Sequence, residues 1–174
     1  MASSDHLEDL RRRVQSDPTS IAFAQLAEEQ RRLGQLADAV STCRTGLATH
    51  PGFMSARITL GRALLALGQL DDAAAELHTA VNANSENLAA VRALADTLRQ
   101  QGRIAEALTR YETALRLAPN DPELDRIVRR LRAETDTTNP GLDPVAASRR
   151  AAATVAALEK WMEALDAART KRRA

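Results

Sequence analysis

Apolar residues return along this chain at helical spacing, with small residues set among them at fixed places. Leu26, Leu60 and Leu94 are each followed by a small residue, Ala27, Gly61 and Ala95. Next come Leu36, Leu70 and Ile104, and then Ala39, Ala73 and Ala107. The pairs Cys43 and Gly46, Leu77 and Ala80, Tyr111 and Ala114 close each set. Apolar positions three or four apart mark amphipathic helices, and a large residue beside a small one marks a close helix crossing. Every set recurs at an interval of 34 residues, as do Gly34, Gly68 and Gly102 inside the phrases LGQLADAV, LGQLDDAA and QGRIAEAL. A period held through successive intervals is an internal repeat and decides the architecture. Each Gly can take the positive φ that ends a helix. The pattern predicts a helix–turn–helix unit used three times, over residues 18–51, 52–85 and 86–119. Pro51 and Pro119 end the first and third units, with Ser85 in the middle one, because Pro cannot continue a helix but is tolerated where one starts.

The flanks carry single helices. Leu7, Leu10 and Val14 fall at helical spacing, predicting a helix over 4–16 that caps one end of the stack. Asp121-Pro122 reads as an N-cap and first turn, followed by Leu124, Ile127, Val128 and Leu131, predicting a second capping helix over 121–132. A stack of repeats needs such polar-faced ends to stay soluble. The repeat domain then occupies residues 1–132. Residues 133–144, AETDTTNPGLDP, carry the composition of a linker. Beyond them, Val155, Leu158, Trp161, Met162 and Leu165 lie on one helical face and Glu159, Lys160, Glu163 and Asp166 on the other. This predicts an amphipathic helix over 145–172 whose apolar face needs a partner.

The spacing of small residue, turn Gly, early second-helix Ala and terminal Pro resembles the tetratricopeptide repeat family over about residues 18–120. The resemblance implies an all-α fold, a right-handed α-solenoid of antiparallel helix pairs. The stretch from Phe23 to Ala73 is also similar to a group of bacterial tetratricopeptide proteins, which implies a bacterial origin. The family's first-helix aromatic is present only as Phe23, with Arg57 and Val91 at the equivalent places. The family's groove-facing positions fall here on Ile21, Ala24, Glu28 and Arg31 in the first repeat. In the second they fall on Ser55, Ile58, Arg62 and Leu65, and in the third on Ala89, Arg92, Asp96 and Arg99. One branch of the family clamps the C-terminal carboxylate of chaperone peptides with Lys and Asn. The corresponding positions here hold Ala24, Glu28, Thr59, Ala89 and Ala93, so that activity is not expected.

Composition adds limits. The chain has 174 residues, a net charge of +1 and 2% aromatic residues, which fits closely stacked helices and gives no global pull toward nucleic acid or membrane. The lone Cys43 cannot form an intramolecular disulfide, and the N-terminal sequence lacks the apolar core of a signal peptide, so a cytoplasmic location is the expectation. His6, His50 and His78 fall in different units without further ligands at metal spacing, and no catalytic or cofactor motif is present. Cys43, at a helix-packing position, is expected to be a buried, inert thiol.

Two readings of the groove stand side by side. Arg62, Arg92 and Arg99 form a solvated face bridged to Glu28 and Asp96, or they serve a groove for an amphipathic segment bearing acidic groups. The chain is accordingly expected to be a non-enzymatic adaptor that binds a helical or extended segment of another protein. The alternative is self-association: the helix at 145–172 docks in its own or a neighbour's groove, giving a homodimer in the second case, or serves as bait for a separate partner.

Overall fold

A computed structural model describes residues 2–17 and 20–138. By contact the chain divides into a unit of Met1–Leu131 and a unit of Arg132–Ala174. The regular elements among the described residues are all helical. They are α1 (Ala2–Ser16), α2 (Ala22–Arg32), α3 (Leu36–Thr49), α4 (Met54–Ala66), α5 (Leu70–Ala83), α6 (Leu88–Gln100), α7 (Ile104–Leu117) and α8 (Pro122–Thr138). Helices α2 and α3, α4 and α5, and α6 and α7 form the three repeats, and α1 packs on α2.

The turns show why the glycines recur. Gly34, Gly68 and Gly102 have φ of 77°, 76° and 77°. At the first turn Gly34 N–H donates to the Arg31 carbonyl at 3.1 Å, and Gln35 N–H reaches back to the Gln30 carbonyl at 2.8 Å. The same bonds recur from Gly68 to Leu65 and Gln69 to Leu64, and from Gly102 to Arg99 and Arg103 to Leu98. This pairing satisfies the last carbonyls of α2, α4 and α6 and requires a left-handed residue at the glycine.

The core lies between the helices of each pair. Ala39, Ala73 and Ala107 are fully buried, as are Cys43, Leu77 and Tyr111. At one crossing a Cβ added to Gly61 would meet Leu77 Cγ at 2.5 Å, and at another a Cβ on Gly46 would meet the Phe23 ring at 2.1 Å. These glycines are absent side chains required by volume, since native cores leave no room for extra atoms. Leu7 and Leu10 of α1 pack with Leu26, and Leu124, Val128 and Leu131 of α8 join Tyr111 in the last core cluster.

The start of α8 is built by its cap: Asp121 Oδ1 accepts from Glu123 N–H at 2.9 Å and Leu124 N–H at 3.1 Å. Its end differs from expectation. The helix runs to Thr138, so residues 133–138 are helical where a linker was read. Those residues contain no Gly or Pro, and the first breaker in the segment is Pro140. The expected amphipathic helix at 145–172, with Val155, Leu158, Trp161, Met162 and Leu165, lies outside the described residues.

Candidate protein-binding groove

The first helices of successive repeats touch, α2 against α4 and α4 against α6, so their outward residues share one face. Two cavities lie along it. The larger, about 1300 Å³, is lined by Ile21, Ala24, Glu28, Ser55 and Ile58 among others. The smaller, about 780 Å³, is lined by Arg31, Leu65, Arg92 and Asp96. Arg62 and Ala89 line both, which makes the two cavities one groove. Of the residues expected there, only Arg99 lines neither cavity. It is exposed, and its Nε donates to the Tyr111 hydroxyl of α7 at 3.3 Å.

Two further findings refine the sequence reading. Ile58 is only 8% exposed and belongs to the same core cluster as Leu77 and Leu94, so it serves as groove floor and core at once. In addition, α1 forms a wall of the larger cavity through His6, Asp9, Arg12, Arg13 and Ser16, continued by Asp17 just beyond its end. The alternation of buried leucines and polar residues in α1 signals a cap, and nothing in that pattern says that the cap's polar face turns toward the groove.

The charges are largely committed to partners inside the protein. Glu28 accepts from Arg31 Nε at 3.0 Å and Nη2 at 2.6 Å, and from Thr59 Oγ1 at 3.0 Å. The Arg31 bonds hold its carboxyl below the ordinary range against the opposing effect of burial, with Thr59 and the charges of Arg31 and Arg62 adding to them. Arg92 does not bridge to Asp96. Its Nη1 bonds Asp121 at 3.3 Å and its Nη2 bonds Glu123, so it ties α6 to the start of α8. Asp96 instead accepts from the Tyr111 hydroxyl. Burial first, and then Asp96, push that hydroxyl up to about 12. Arg62, exposed at the junction of the cavities, makes no ion pair or hydrogen bond among the described residues.

The remaining candidates for chemistry are placed in packing roles. Cys43 is fully buried, and burial pushes its thiol up to about 12, far from a reactive thiolate at neutral pH. The His50 ring stacks on Phe23 with centroids 6.1 Å apart. Among the described residues no three His, Cys, Asp or Glu side chains gather as metal ligands, and no helix is long and apolar enough to cross a membrane.

The sequence profile described as tetratricopeptide repeat matches residues 24–77 and 58–122, most of the helical stack. The chain belongs to the tetratricopeptide repeat family. Solved tetratricopeptide structures share its fold. MamA from Desulfovibrio magneticus RS-1 is 18% identical, with a TM-score of 0.71 over 86% of this chain and 86% of its own. The thermophilic protein TTC0263 of Thermus thermophilus is 25% identical, with a TM-score of 0.63 over 75% and 73%. The first repeat domain of Spaghetti (RPAP3), solved with the HSP90 peptide SRMEEVD, is 18% identical, with a TM-score of 0.64 over 68% and 94%. A comparison with curated protein sequences finds no match.

Proposed function

We propose that this tetratricopeptide stack is a non-enzymatic adaptor that seats a helical or extended segment of another protein in the groove of α2, α4 and α6. The observation that carries the reading is the junction of the two cavities at Arg62 and Ala89. It gives a continuous cleft with Ile21, Ala24, Ile58 and Leu65 along it. An elongated cleft with apolar residues along its floor and polar and charged residues on its walls offers a bound peptide both surface to bury and groups that fix its orientation. The RPAP3 neighbour, solved with a peptide, supports peptide binding as a use of this fold. The ligand here differs from a chaperone tail, because Ala24, Glu28, Thr59, Ala89 and Ala93 occupy the clamp positions and Glu28 stays charged.

The test is capture of partners by the full chain and by Ala89→Trp, which fills the junction from an exposed position. Loss of captured partners with an unchanged helical circular dichroism spectrum is the expected result. An unchanged set of partners contradicts the groove reading. A version ending at Thr138 tests the self-association alternative: a dimer that becomes a monomer, or capture that strengthens when 145–172 is removed, favours that segment as the occupant.

A further inference from the structure

Resting on the groove reading, we propose that the occupant is a segment carrying a single acidic side chain within its sequence, paired with Arg62 and flanked by apolar residues. The other arginines lining the groove are already engaged: Arg31 with Glu28, Arg92 with Asp121 and Glu123, and Arg12 and Arg13 of the α1 wall with Asp9. Arg62 has no ion pair or hydrogen bond among the described residues and stands where the two cavities join, so any chain running through the groove covers it. A guanidinium covered without a partner is strongly unfavourable, and a carboxylate is the group that matches its forked donors.

Glu28 does not fill that role. Its charge is felt at Arg62, but its oxygens accept from Arg31 and Thr59, which leaves the Arg62 fork open. The flanks of the groove define the rest of the ligand. Ile21 and Ile58 line the larger cavity and Leu65 the smaller, with Ala89 at the junction together with Arg62, so apolar residues belong on both sides of the acid. The larger cavity is also lined by Asp9, Asp17, Glu28 and Glu29 and by Arg12 and Arg13, with Asp9 paired to both of these arginines and Glu28 to Arg31. With those arginines paired inside the protein, Arg62 is the arginine left to receive a carboxylate, and one acidic side chain is the charge that matches it.

The experiment is selection of displayed random peptides of about twelve residues on the full chain. It is followed by fluorescence anisotropy with the top peptide synthesised in its acidic form and with that acid changed to Gln or Asn. The expected result is enrichment of one Asp or Glu between apolar residues, with the amide form binding about tenfold or more weakly. In Arg62→Met the two forms should bind alike, and circular dichroism should match the wild type because the residue is exposed. Equal binding of the two forms to the wild type overturns the inference, as does discrimination that survives in Arg62→Met. Enriched peptides that bind Ala89→Trp as well as wild type, or no enrichment at all, overturn the groove reading itself. Groove-dependent binding without acid preference removes only the present inference.

Discussion

Gly61 and Arg62 are neighbours on α4 and answer to different constraints. At Gly61 the helix presses on Leu77 of α5 so closely that even one added carbon would overlap it. At Arg62 the chain faces an open groove, and the side chain is fixed by no ion pair or hydrogen bond among the described residues. The seam is specified by volume and the groove by charge left uncommitted. Substitutions in the seam should therefore move stability, whereas those in the groove should move binding and leave stability nearly untouched.

The largest expected effect is in the seam. Gly61→Leu should lower stability by about 1–3 kcal/mol or more, read as a drop in the urea midpoint and in Tm. An unchanged midpoint would break the comparison at its stronger side. The first repeat offers a finer test, because there the bulk sits on the first helix as Phe23 and the space on the second as Gly46. Phe23→Leu and Gly46→Ala should each destabilise, the first by a cavity and the second by overlap, by about 1–3 kcal/mol each. The double variant should cost less than the sum of the two, since the smaller Leu leaves room for the added methyl. Strict additivity would mean that these two side chains do not share one space.

A smaller effect belongs to the groove. The folded protein holds the Glu28 carboxyl below its ordinary value of 4.5. Its stabilising contribution is therefore full above about pH 4.5 and is lost as pH falls through the lower folded value. Glu28→Gln should therefore lower stability modestly at pH 7 and flatten its fall over that acidic window, the two proteins converging toward pH 3. Denaturation midpoints measured from pH 7 to pH 3 for both proteins check this, and parallel curves would contradict it.

How far the sequence discloses the protein follows the same division. The turns were legible because only a positive φ makes Gly recur at 34, 68 and 102. The seam was legible because crossing helices demand small residues such as Ala39, Ala73 and Ala107. All the groove positions that the resemblance named, except Arg99, line one or both of the two cavities. The resemblance did not disclose which cations were spoken for. Arg92 is drawn to Asp121 and Glu123, beyond the end of its own repeat, and Arg99 to Tyr111. Those pairings depend on how neighbouring units stack, which periodicity does not record. The α1 wall was hidden for the same reason. The end of α8 was missed because polar composition was read as linker where no residue interrupts the helix before Pro140.

The most direct test of the central claim, that the face of α2, α4 and α6 is the binding face, is amide hydrogen exchange of the full chain with and without a selected peptide. Slowed exchange confined to α2, α4, α6 and the α1 wall, strongest around Arg62 and Ala89, is the result this account predicts. Slowed exchange on α3, α5 and α7, with the groove helices unchanged, would contradict it.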